Sequence, residues 1–264
     1  MRLSRIVSAA SACFLTAAVA LFGATPAHAA GPAYVALGDS YSSGVGAGSY
    51  DSGSGSCYRS SKAYPALWAA AHTPSGFSFL ACSGATTDDV LSGQLSTLSS
   101  DTRLVSISIG GNDAGFSDVM STCVLSTTDA CLDRIDTARA YAEQTLPGKL
   151  DAVYDAIGDR APSARVVVLG YPRFYKLGTT TCVGLSEAKR SAINDAADLL
   201  DTVIAKRAAD HGFTFGDVRS AFTGHELCSG SAWLHSLTVS VFESYHPTAA
   251  GQSGGYLPVL TANA

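Results

Sequence analysis

The chain has 264 residues, of which 47% are hydrophobic and 15% charged, and its formal charge is −5. An acidic chain with no basic cluster and no interleaved aromatic stripe repels phosphate backbones, which excludes nucleic acid as a partner. Charged residues fall well below the about 25% of an average domain, so much of the surface must be built from Ser, Thr, Gly and Ala.

Residues 1–29 read as a secretory signal. Arg2 and Arg5 form the basic head, residues 6–23 are mostly apolar, and Ala27-His28-Ala29 supplies a small-x-small cleavage pattern before Ala30. A retained membrane anchor is the alternative, because the apolar stretch approaches the ~20 residues that span a bilayer. The cleavage pattern favours removal, so a secreted, extracellular protein without stable membrane insertion is expected. Removal leaves 235 residues with a formal charge of −7, enough for one α/β domain over 30–264. A mature start at Ala30 or Gly31 stays open, and a monomer is the expected state.

The mature chain opens on the apolar run Ala33-Tyr34-Val35-Ala36-Leu37, a buried strand that ends in Gly38-Asp39-Ser40. In an open α/β sheet, ligands sit outside the carboxyl ends of the strands, so Ser40 is placed like a nucleophile. The plainer reading makes Ser40 a helix cap and Asp39 a turn closer. Residues 42–56 are rich in Gly and Ser and read as a surface loop. Within it, Gly44-Val45-Gly46-Ala47-Gly48 lacks the lysine and spacing of a phosphate loop and reads as a flexible rim.

A helix is predicted over 62–72, with Pro65 tolerated in its first turn. Further strands are predicted over 77–81, 103–109, 165–169 and 213–215. Helical patterns cover 132–157, interrupted near Pro147-Gly148, and 186–211, where Ile193, Ala197, Leu200 and Ile204 share one face. Strands alternating with helices imply a parallel sheet covered on both sides. The expected fold is a flavodoxin-like three-layer α/β/α sandwich with a central parallel sheet of about five strands.

Of seven cysteines, Cys13 leaves with the signal, and an even set of six remains in an oxidising compartment. Six cysteines allow 15 pairings, among which sequence does not choose. Closing the shorter loops favours Cys57 with Cys82, Cys123 with Cys131, and Cys182 with Cys228. Neither C-x-x-C nor H-E-x-x-H spacing occurs, so no metal and no cofactor are expected.

Polar groups follow the strands in turn: Gly38-Asp39-Ser40, then Ser83-Gly84-Ala85, then Gly110-Gly111-Asn112-Asp113, and near the end Tyr245-His246-Pro247. Acyl transfer at a serine needs a nucleophile, a base to take its proton, and donors aimed at the oxyanion. Taken singly, Gly84 and Asn112 read as turn residues, and His246 before Pro247 reads as a helix start. Together, and in this order, they resemble the SGNH, or GDSL, hydrolase superfamily, whose signature is a serine, glycine, asparagine and histidine. The resemblance extends over essentially the whole mature chain, including Ala81-Cys82-Ser83-Gly84-Ala85-Thr86-Thr87-Asp88.

What the resemblance implies is ester hydrolysis without a metal. Ser40 would attack the carbonyl and offer its own N–H to the oxyanion, beside the Gly84 N–H and the Asn112 amide. His246 would act as base and then as acid. Family members with a full triad carry an aspartate three residues before the histidine, where this chain has Glu243. The extra methylene shifts that carboxylate, so the Ser244 main-chain carbonyl is favoured over Glu243 as the group that orients His246.

Gly251-Gln252-Ser253-Gly254-Gly255 matches G-x-S-x-G but has neither a preceding strand nor a later histidine, so it belongs with a terminal helix. His72, His211, His225 and His235 read as surface or capping residues, and Trp233 and Phe116 carry no weight as site residues. The expected activity is that of a lipase or esterase on acylglycerols, extending to phospholipids, Tweens and thioesters. A carbohydrate acetylesterase of the same family is the alternative, and a binding protein with a vestigial site is a remote one. With no long amphipathic insertion, no large lid and little interfacial activation are expected.

Overall fold

The computed structural model describes residues 33–180 and 182–264. The expected signal and the start of the mature chain lie outside the described residues. Five parallel strands form one sheet: β1 (Ala33–Gly38), β2 (Phe77–Phe79), β3 (Thr102–Ser108), β4 (Arg165–Leu169) and β5 (Thr214–Gly216), in the order β2-β1-β3-β4-β5. A parallel sheet is covered on both faces, so its strands read as continuous apolar runs rather than alternating ones. Tyr34 to Leu37 of β1 and Val166 to Leu169 of β4 are buried without interruption.

The helices are α1 (Ser40–Ser43), α2 (Tyr64–His72), α3 (Thr87–Asp89), α4 (Phe116–Leu125), α5 (Thr128–Gln144), α6 (Leu146–Arg160), α7 (Glu187–Asp210) and α8 (Leu257–Asn263). α2 packs on α8 and on the wide helical turns of Gly251–Tyr256, whereas α4, α5, α6 and α7 pack on one another, so helices cover both sides of the sheet. β1 connects outward to β2 on one side, and the chain then returns to lay β3 on the other. The carboxyl ends of β1 and β3 therefore bound the crevice where the strand order reverses, which is where this architecture binds ligands.

Several boundaries move for local reasons. The helix expected from 62 starts at Tyr64, with Pro65 in its first turn, where a missing N–H costs nothing. The interrupted pattern over 132–157 is two helices broken at Thr145, and Pro147 opens the second. α4 escapes the sequence reading because its N-cap is Gly115 in a left-handed conformation with no side-chain cap. The expected surface loop over 42–56 is corrected in its first half. Ser42, Ser43, Val45 and Ala47 are buried, and a Cβ at Gly46 would stand 2.7 Å from the Pro247 carbonyl, so this segment is a packed turn and not a flexible rim. Disulfides join Cys57 to Cys82, Cys123 to Cys131 and Cys182 to Cys228.

Candidate active site

Gly38 ends β1 with φ +119°, and a Cβ there would lie 2.3 Å from the Ser108 carbonyl oxygen. Only glycine lets the chain pass so close to β3 before turning into α1. Gln94 then brackets that glycine: its Oε1 accepts from the Gly38 N–H at 2.7 Å and its Nε2 donates to the Gly38 carbonyl at 2.9 Å.

Asp39 caps α1. Its Oδ1 accepts from the Tyr41 N–H at 3.0 Å and from the Ser108 hydroxyl at 2.8 Å, and its Oδ2 accepts from the Tyr171 hydroxyl at 2.5 Å. Burial pushes its carboxyl up to about 6 despite these donors. The Tyr171 hydroxyl also accepts from the Gly111 N–H at 3.2 Å. One phenol thus joins the segment carrying Ser40 to the segment carrying Asn112.

The remaining segments are tied in similarly. Asn112 donates one amide hydrogen to the Ala85 carbonyl at 2.9 Å, which sets the amide orientation and leaves a second N–H to donate. Asp113 accepts from the Thr87 hydroxyl at 2.6 Å and from its N–H at 3.0 Å. Gly84 lies between these ties with φ +79° and open space where a side chain would be. Among the described residues, the backbone N–H groups of Ser40 and Gly84 donate to no protein acceptor.

His246 reaches Ser40 from a sequence separation of 206, with 2.7 Å between Nε2 and the hydroxyl oxygen. Its Nδ1 stands 3.1 Å from the Ser244 carbonyl. A carbonyl oxygen only accepts, so Nδ1 carries the hydrogen, and Nε2 is left to accept from the Ser40 hydroxyl. Burial holds the imidazole down at about 4, so it is neutral near pH 7 and able to take a proton. The segment is held by the Tyr41 hydroxyl, which donates to the Tyr245 carbonyl at 2.7 Å. Glu243 points elsewhere: its carboxylate accepts from the Tyr50 hydroxyl at 2.5 Å. Of the two groups considered for orienting His246, the structure brings the Ser244 carbonyl to the ring and leaves the Glu243 carboxylate on Tyr50.

From Ser40 and Asn112 an apolar cleft runs between α4, α5 and α7, enclosing about 720 Å³ including its open mouth. Phe116 and Met120 form one wall, while Ala138, Ala142, Ala196 and Ala197 leave space between α5 and α7. Phe116, given no weight from sequence, lines this cleft, whereas Trp233 stacks on His225 with ring centroids 3.6 Å apart and is not part of the lining. Among the described residues, no group of three His, Cys, Asp or Glu could hold a metal ion.

The model of the GDSL-like lipase/acylhydrolase family matches residues 36–253. The chain belongs to the GDSL-like lipase/acylhydrolase family. It is 69% identical over 269 residues to Lipase 1 of Streptomyces coelicolor, covering all of both chains. The crystal structure of the extracellular lipase from Streptomyces rimosus is similar with a TM-score of 0.87 and 68% identity, covering 88% of this chain and 100% of that one. Phospholipase A1 from Streptomyces albidoflavus is similar with a TM-score of 0.87 and 65% identity, over 89% of this chain and 100% of that one.

Within this family member, sequence reasoning missed Tyr171, Gln94 and the alanines of the cleft. Gln252 is a further omission. It sits inside the G-x-S-x-G match, yet its Oε1 accepts from the Tyr64 N–H at 2.9 Å and its Nε2 donates to the Tyr41 carbonyl at 3.0 Å, tying the terminal helical segment to α1. Ser253 is exposed in those same helical turns and takes no part in the site.

Proposed function

We propose that this chain is a secreted, monomeric carboxylic ester hydrolase, a lipase that also takes phospholipids, acting through an acyl-Ser40 intermediate. Residues 1–29 are its signal, and 30–264 form one catalytic domain. The observation that carries the reading is the 2.7 Å contact of the Ser40 hydroxyl with His246 Nε2 at the mouth of an apolar cleft.

His246 takes the Ser40 proton as Oγ bonds to the ester carbonyl carbon, and the carbonyl electron pair moves onto oxygen. The N–H groups of Ser40 and Gly84 and the remaining Asn112 N–H receive that oxyanion; losing one such donor costs about 100- to 1,000-fold. The Ser244 carbonyl steadies the imidazolium through Nδ1–H. The bond to the leaving oxygen then breaks as His246 returns the proton to the alcohol. Water, deprotonated by the same imidazole, cleaves the acyl-serine and releases the acid.

An organophosphate probe tests this reading. It should label the protein and fail to label Ser40→Ala; equal labelling of both would overturn it. The acetylesterase alternative shares the machinery but has no use for an apolar cleft lined by Phe116, Met120 and alanines. Turnover of acetyl nitrophenyl esters with none on longer acyl chains would favour it over the lipase.

A further inference from the structure

Apolar side chains normally turn inward, and four of those in residues 237–242 face outward. Val239 is 103% exposed, Val241 70%, Leu237 57% and Phe242 42%, and these are four of the eight large apolar side chains left exposed among the described residues. Between them Thr238 is half-buried and turns back on the protein, whereas Ser240 is exposed. The Thr238 N–H donates to the Ser244 hydroxyl at 2.9 Å, and the Thr238 hydroxyl donates to the Ser240 carbonyl at 2.7 Å. The loop therefore leaves its hydrocarbon in water, an arrangement that costs free energy unless something apolar receives it.

Its surroundings indicate what receives it. Residues 227–242 contain no Asp, Glu, Lys or Arg, in a chain that is acidic overall. Phe242 stacks on Tyr58 with centroids 4.6 Å apart, and Tyr50 lies edge-on to Tyr58 at 5.5 Å. Tyr58 adjoins Cys57, which is bridged to Cys82 and whose carbonyl accepts from the Ser83 N–H at 3.1 Å, beside Gly84. Through Tyr58 and the Cys57–Cys82 disulfide the loop is thus linked to the segment that carries Gly84. At its other end it is pinned to Ser244, the residue whose carbonyl faces His246. Amphipathic aromatics flanking exposed aliphatics are what a lipid–water boundary accommodates. Six side chains also fall short of the roughly 20–30 residues a side of a stable protein interface.

We propose that residues 237–242 anchor the enzyme on the surface of an uncharged or zwitterionic lipid aggregate, holding the mouth of the Ser40 cleft against its substrate. This rests on the lipase reading of the same site. It concerns adsorption to the aggregate, not the uncovering of Ser40.

The test separates adsorption from chemistry. In a Ser40→Ala background, sedimentation with phosphatidylcholine vesicles reads binding without turnover, so a failed lipase reading would leave this measurement intact. Adding Leu237→Ser, Val239→Ser and Val241→Ser should weaken vesicle binding by at least about tenfold. In the active enzyme, the same three changes should lower vesicle hydrolysis to match while leaving kcat/KM on a dissolved nitrophenyl butyrate within about twofold, since all three side chains face solvent. A single Val239→Trp change, at a position with no packing to lose, should give a blue-shifted fluorescence on adding vesicles even if the triple variant misfolds. Unchanged vesicle binding, an unshifted tryptophan, equal losses on both substrates, or a concentration-dependent dimer abolished by the triple change would each overturn the proposal.

Discussion

The hydroxyl of Tyr171 donates to the Asp39 carboxylate across 2.5 Å and accepts from the Gly111 N–H at 3.2 Å, so one side chain after β4 sets the spacing between the loops after β1 and β3. Those loops carry Ser40 and Asn112, and a displacement of about 1 Å in reacting groups can cost about 100-fold in rate. Tyr171→Phe should therefore lower kcat by about tenfold or more with KM nearly unchanged. Among the hydrogen bonds that hold the Asp39 carboxyl down, that from Tyr171 is the largest, and Tyr41, Tyr64 and Tyr256 also face the group. Without it the Asp39 carboxyl rises further, and the acid limb of the kcat profile should move to higher pH. An unmoved limb with unchanged kcat would deny Tyr171 any positioning role.

Glu243 occupies the position of the family's triad aspartate but is held by Tyr50, whose hydroxyl oxygen in turn accepts from the Gly46 N–H at 2.9 Å. Its removal disturbs a loop and not the imidazole. Glu243→Ala should keep kcat/KM within about threefold of the parent, because one half-exposed hydrogen bond contributes only about 1 kcal/mol. A hundredfold fall with unchanged circular dichroism would return the orienting role to the carboxylate.

Two buried groups at the site respond to acid with opposite sign. His246 is lowered from 6.5 to about 4, so its contribution to stability is full above 6.5 and is lost as the pH falls towards 4. Asp39 is raised from 3.8 to about 6, so its contribution is full below 3.8 and is lost as the pH rises through 6. Between about 4 and 6 the two oppose each other. Thermal melts should show His246→Gln gaining stability relative to the parent as the pH is lowered from 6.5 to 4.5, and Asp39→Asn losing it. Parallel curves for all three proteins would mean that neither group titrates as assigned.

Ala196 lines the cleft from α7 and is only half-buried, so a larger side chain there intrudes on the cleft more than on the core. Ala196→Leu should reduce kcat/KM on long-chain nitrophenyl esters by roughly 10-fold or more while sparing the butyrate, since each methylene excluded from apolar contact forfeits about 0.8 kcal/mol. Equal effects on both chain lengths would place the acyl group elsewhere.

What could be read without coordinates was local. Ala33 to Leu37 announced a strand because an uninterrupted apolar run suits a strand covered on both faces, and Gly38 announced the turn because the chain there needs a φ closed to other residues. The residues after each strand were legible for the same reason: backbone chemistry over five or six positions dictates them. A local signal was also overlooked, since Thr86 and Asp89 form a capping box that opens α3.

Strand order, the Tyr171 bridge and the alanine-lined cleft were not legible, because each is a contact between segments distant in sequence. Leu200 illustrates the difference. The 3.6-residue period assigned it to the buried face of α7, but only the approach of α5 turned part of that face into the wall of an open cleft. By itself the sequence determined which side chains end the strands, because that follows from the chain's own sterics and hydrophobic period. Tertiary structure alone decided the 2.7 Å contact between a serine and a histidine 206 positions apart, whose roles only the family resemblance had implied, because that contact is set by how the chain packs and not by any neighbour along it.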